Sequence, residues 1–219
     1  MKNLAKISLV TLSFSLLLTG CTSGAIDKTS GDIPLTEDYN VSTLPNWADS
    51  SMKVLEAEKW QVSKMENMLP AKAGSKVPAL YTATNEDSSC TIIYNVGGVE
   101  PTSGETQDSY AMTEQAVSTI SFDSNNKIES QNTDAYINVD NDAKLQLLSV
   151  KYIRTLDTKK QNSITAFRVL SDTVPSPYSP EVFPTDTLYP KIDITYSCSD
   201  KKLDMNLWNK VLDSATLAY

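Results

Sequence analysis

Histidine is missing from all 219 residues. That removes Ser-His-Asp and Cys-His nucleophile chemistry and every imidazole metal site. Basic residues are few: 19 Lys and Arg stand against 27 Asp and Glu, a net charge of −8. A nucleic-acid binder needs cations to neutralise phosphates, so DNA and RNA are not expected as partners. The same deficit argues against docking by overall charge on anionic lipid. The chain has no internal repeat, no heptads and no apolar run of the roughly 20 residues that cross a bilayer as a helix. What remains is enough for a folded body. Apolar residues make up 40%, and the length suits one domain of ordinary size.

The first twenty residues read as an address. Lys2 and Lys6 form a basic start, and residues 7–18 are an apolar run interrupted only by small Ser and Thr. A basic start, a short apolar run and small residues before a cut describe a secretory signal. The run ends in Leu18-Thr19-Gly20-Cys21. This resembles the lipobox of bacterial lipoproteins, in which a Leu and two small residues precede an acylated Cys. The resemblance covers residues 1–21 and implies lipidation of Cys21, cleavage before it, and a place at the cell membrane on the extracytoplasmic side. Two acyl chains hold stably where one holds only marginally. Cleavage leaves 199 residues with 17 bases against 27 acids, a net charge of −10. The body is then repelled by an anionic membrane while its lipid holds it there.

Residues 21–44 are small, polar and unpatterned, which predicts a flexible tether, with residues 39–44 alternatively a first strand. The globular domain is expected over 45–219. Asp49 or Ser50 is placed to cap a helix reaching Lys59, and Asp108 one reaching Thr119. Strands are expected at 60–63, 79–84, 90–96, 120–122, 128–139, 149–156, 164–170 and 191–198. Residues 145–148 fit a helix nearly as well as a strand. Gly97 and Gly98 read as the start of a loop. Five of ten prolines fall in 175–190, which marks a connection. A closing amphipathic helix is expected over 202–217, with Leu203, Leu207, Trp208, Val211, Leu212 and Ala215 as its stripe. The class is α+β: a mostly antiparallel sheet with helices packed against it.

Few constellations carry chemistry. Ser50-Ser51-Met52-Lys53 matches the S-x-x-K motif of penicillin-binding proteins and β-lactamases. No K-T-G or S-D-N partner follows, so a helix start with an exposed Lys is the favoured reading. Asn138-x-Asp140-x-Asp142 starts like a calcium loop, but Ala143 stands where Gly is needed and Ser149 where Glu is needed. A polar turn is the favoured reading there. No metal site and no cofactor are expected. The proline-rich connection carries Tyr178 and Phe183, either as anchors of a recognition loop or packed on the domain edge, with packing favoured.

With Cys21 lipidated, Cys90 and Cys198 are the only thiols of the mature body. An oxidising compartment permits a disulfide between them. Cys90, Ile92, Tyr94 and Val96 share one strand face; Cys198, Tyr196, Ile194 and Ile192 share another. Antiparallel pairing with the cysteines opposite sets Ile92 by Tyr196, Tyr94 by Ile194 and Val96 by Ile192, and a one-residue slip would turn Asp193 and Thr195 inward. The alternative is two buried free thiols. The expected function is a membrane-anchored binding or accessory domain of the cell envelope with an unidentified envelope ligand or protein as partner. A histidine-free hydrolase or transferase acting on envelope material is the alternative.

Overall fold

A computed structural model describes residues 32–65, 69–101, 108–139 and 143–218. Cys21 and the expected signal over residues 1–20 lie outside the described residues. Among those described, a large, mostly antiparallel sheet is combined with three α-helices.

The strands are β1 (Asp32–Ile33), β2 (Asn46–Trp47), β3 (Gln61–Met65), β4 (Leu80–Thr84), β5 (Cys90–Val99), β6 (Asn126–Asn138), β7 (Lys144–Leu156), β8 (Lys159–Val169), β9 (Val174–Pro175), β10 (Thr187–Ser199) and β11 (Leu217–Ala218). The helices are α1 (Lys53–Ala57), α2 (Ser109–Phe122) and α3 (Met205–Ser214). Across the main sheet the order runs β7-β8-β10-β5-β4-β3, with β6 along the outer edge of β7. Parallel β1 pairs with Lys144 and Leu145, which β6 also pairs. A strand has two edges, so β1 lies on the β8 side of β7.

The central pairing is the one the alternation demands. Cys90 faces Cys198, Ile92 faces Tyr196, Tyr94 faces Ile194 and Val96 faces Ile192. Cys90 and Cys198 are joined as a disulfide, with Cα atoms 4.1 Å apart. All eight side chains are buried. Leu55 of α1 and the buried residues of α3 (Leu207, Trp208, Val211 and Leu212) join them in the main core. On the other face α2 sets Ala116, Val117 and Ile120 against Leu148, Val150 and Phe167, and Met112 against Val169 and Tyr189.

Several boundaries differ from expectation, each for a physical reason. Neither Asp49 nor Ser50 caps the first helix: Ala48 occupies the cap position without a side-chain bond, a 3₁₀ turn spans Asp49–Met52, and Asp49 is engaged by Tyr81 instead. Gly97 and Gly98 are not a loop, since β5 runs through both to Val99. A Cβ on Gly98 would stand 2.5–2.8 Å from the Leu188 side chain, so glycine there admits close packing. Residues 120–122 are not a strand but the last turn of α2, which Asp108 caps by accepting from the Tyr110 amide. Residues 145–148 belong to β7. Their pattern was ambiguous because Leu147 and Leu148, adjacent and so on opposite faces, are both buried by helices. The last helix is shorter than expected. Asp204 caps it at Met205, it ends at Ser214, and Leu217 then pairs with Trp47 as a strand.

The tether expectation is corrected for residues 32–44. This segment is docked on the body, with Ile33, Tyr39, Val41 and Leu44 packed against the main core. Leu35 is buried against Leu148, Val150 and Phe167. Its amide donates to Gln146 Oε1 (2.9 Å). Arg168, fully buried, donates to the carbonyls of Ile33 (3.3 Å), Gln146 (3.3 Å) and Glu37. Those acceptors are backbone atoms, and no side-chain pattern announces them.

Antiparallel alternation also fixes which connections share an end. The end where β1 and β7 begin holds the last residue of β8, the first of β10, the last of β5, the first of β4 and the last of β3. The disulfide lies at the opposite end.

Candidate ligand-binding groove

At the β1 end, three remote stretches meet: the docked segment near Leu44 and Asn46, the β3–β4 connection, and the proline-rich stretch after β9. Between them is a groove of about 590 Å³, walled by Leu44, Leu69, Val77, Pro78 and Ala79 with Lys64, Ser75 and Lys76 at its polar side. A hollow of about 340 Å³ shares Leu44, Ser75 and Lys76 and continues to Pro175, Ser176 and Pro177. Concave, mostly apolar volumes of this size with a few convergent polar groups suit small ligands.

The walls are tied down by backbone. Lys72 N donates to Pro177 O (2.8 Å), Ser179 N to Pro70 O (2.8 Å), and Ser75 N to Lys72 O (3.0 Å) in a turn that Gly74 closes at φ +79°. Lys72 adds an ion pair to Asp186 at 3.0 Å. Beneath, Tyr178 stacks on Phe183 with centroids 4.9 Å apart, and Val41, Leu44 and Val77 pack around Val174, Tyr178 and Leu188. Tyr178 is 1% exposed. The aromatics of the connection therefore pack down, as favoured from sequence, while its prolines line the hollow.

Lys64 comes from β3. Its ammonium is 3.4 Å from Asp49 and 5.2 Å from the centre of the Tyr81 ring. The Tyr81 hydroxyl donates to the same Asp49 oxygen at 2.5 Å. That hydrogen bond, with Lys64 behind it, holds the Asp49 carboxyl below the usual carboxylate range. Burial, and then the bond to Asp49, push the Tyr81 hydroxyl up. Lys64 is pushed up by the Tyr81 oxygen first and by Asp49 less. Lys76 makes no ion pair among the described residues. Among the described residues, Lys64 and Lys76 are the only charged groups lining the groove, and both are cations.

The residues singled out from sequence lie elsewhere. Ser50 and Lys53 are exposed, and the bond that joins them is the backbone one of the 3₁₀ turn, Lys53 N donating to Ser50 O. Asn138 spends its amide on Asp213 O (2.7 Å), while Asp140 and Asp142 lie outside the described residues. Cys90 and Cys198 sit at the far end of the sheet. A second hollow of about 720 Å³ lies where the β6 register slips between Asn132 and Ala135. It is lined by exposed Gln131, Asn132, Thr133 and Asp134 over Leu148, and offers a ligand little apolar surface to bury.

Sequence reading missed Lys64, Lys76 and Arg168. Only Arg168 left a signal: a cation inside Ile-Thr-Ala-Phe-Arg-Val-Leu must have buried acceptors. The chain matches no protein-family model, and no curated protein is significantly similar to it.

Proposed function

We propose that this protein is a lipid-anchored extracytoplasmic binding domain, acylated at Cys21, whose groove takes a small amphiphile with an acidic group. The observation that carries the reading is the groove's lining among the described residues: apolar walls with two lysines and no carboxylate, in a chain of net charge −8. Apolar walls bury an alkyl chain at roughly 25 cal/mol per Å². A lysine is a point charge suited to a phosphate or carboxylate. The global negative charge does not cancel this, because at physiological salt charges beyond about 8 Å are screened.

The test uses protein carrying Cys21→Ser, titrated by calorimetry with decyl phosphate and with decyltrimethylammonium below their micelle concentrations. Decyl phosphate binds, the cation does not, and Lys76→Glu weakens the phosphate about tenfold, the effect of 1.4 kcal/mol. Equal binding of both amphiphiles, or of neither, overturns the reading. The anchor is tested separately: Cys21→Ser should move the full chain out of the detergent phase, and retention there would place the anchor elsewhere.

A further inference from the structure

We propose that the hollow at the β6 bulge is a second binding site, and that it takes a neutral oligosaccharide. It shares no lining residue with the groove and does not rest on the amphiphile reading.

The bulge makes the hollow. Asn132 pairs with Ser149 and Ala135 with Leu147, so Thr133 and Asp134 together oppose the single residue Leu148. The extra residue breaks the ladder and re-aims the side chains around it, a device found beside active sites as well as at plain sheet edges. Gln146, opposite Tyr136 on β7, holds the bulge in place. Its Nε2 donates to Thr133 O (2.6 Å) and to the Tyr136 hydroxyl (2.8 Å), and its Oε1 accepts from the Leu35 amide. Gln146 is thereby spent on the frame. The side chains of Gln131, Asn132, Thr133 and Asp134 are not: they are exposed and make no hydrogen bond or ion pair among the described residues.

Their chemistry selects the ligand. Two amides and a hydroxyl offer both donors and acceptors, and the carboxylate accepts. Vicinal sugar hydroxyls each donate and accept, so they match a mixed set of this kind. Tyr110, from the start of α2, and Tyr136, both half-buried, add ring surface for the C–H face of a pyranose. A phosphate or carboxylate finds no cation among the described lining residues. It meets Asp134 instead, with Glu114 hydrogen-bonded to the Tyr110 hydroxyl close by. An acyl chain finds only Leu148, 1% exposed. A peptide adding to β6 as a further strand meets the broken ladder. Blunting a sheet edge does not by itself account for this stretch. Charge, Lys above all, usually does that, and residues 131–134 hold one Asp and no Lys. The volume of about 720 Å³ lies within the range of small-molecule sites, about 300–1,000 Å³.

The experiment is a nuclear magnetic resonance titration of ¹⁵N-labelled protein carrying Cys21→Ser. The probes are cellotetraose, chitotetraose and maltotetraose, with tetragalacturonate as the acidic counterpart. At least one neutral tetrasaccharide should shift the side-chain amide signals of Gln131 and Asn132 saturably in the millimolar range. Asn132→Ala and Asp134→Ala should each weaken that binding about fivefold, the effect of one lost hydrogen bond. Both positions are exposed, so neither variant disturbs the core. Tyr136→Phe keeps the ring and should weaken binding less than Tyr136→Ala. No saturable shift with any of the three neutral probes overturns the site. Binding that Asn132→Ala and Asp134→Ala both leave untouched overturns it as well, since the sugar then sits elsewhere. Equal binding of tetragalacturonate overturns the neutral ligand.

Discussion

Replacing Arg168 by Met tests whether a buried cation holds the N-terminal segment on the body. Arg168 is 0% exposed and makes its three hydrogen bonds to backbone carbonyls. Burial pulls its pKa down to about 10, against the pull of Asp38 and Glu37, so it stays charged at neutral pH. Each bond from a charged donor contributes about 1.5–3 kcal/mol, but the protein need not lose the sum. Two of the three carbonyls, Ile33 and Glu37, sit on a segment that can lift into water and be solvated there. The loss is then capped at the free energy of docking that segment. Burial of Leu35 supplies about 2 kcal/mol of it, so we expect a total near 2–3 kcal/mol and a Tm lower by about 5–10 °C. Met fills the volume and removes the cost of burying a charge, which keeps the loss local. Hydrogen exchange at the Leu35 amide and Glu-C cleavage after Glu37 read the release directly. Arg168→Lys keeps the charge but loses the planar fork, and should give intermediate release. A Leu35 amide that stays protected, with Glu37 uncut, in Arg168→Met would refute the clamp. Cooperative loss of the whole domain with no released-segment state would refute its local character.

Two other outcomes follow from the same structure. Replacing Cys90 and Cys198 by Ala opens a link across a sequence separation of 108; chain entropy sets the loss at up to about 4–5 kcal/mol, a Tm drop near 10–15 °C, and alkylation of both thiols in native protein without reductant would contradict the bond. Asp193, 13% exposed with Lys191 and Asn95 beside it, has its carboxyl pushed up by burial, which Lys191 and Asn95 only partly oppose. Its ionised form therefore costs stability at neutral pH, and that cost fades as pH falls through the raised value toward 3.8. Thermal melts should show Asp193→Asn more stable than the parent at pH 7, with the gap closing in acid; a gap that widens in acid would reverse the sign of the argument.

The residues themselves determined the pairing of β5 with β10. Two strands with strict alternation and a cysteine at matching phase admit one register that buries the apolar face, because a slip of one residue inverts every side chain. The caps at Asp108 and Asp204 are equally local: a carboxylate preceding a helix accepts its free amides whatever lies beyond, although sequence placed only the first of them. Local pattern failed where burial came from two sides, as at Leu147 and Leu148, since a strand covered on both faces loses its period of two. It failed also at residues 32–44. Their polarity reads as tether, yet their backbone carbonyls are what Arg168 and β7 hold, and carbonyls are the same in every residue. The groove was invisible for a further reason. Leu44, Lys64, Lys76 and Pro177 are remote in sequence and ordinary one by one. Only the alternation of antiparallel strands, carried across the sheet, brings their connections to one end and sets two lysines over an apolar floor.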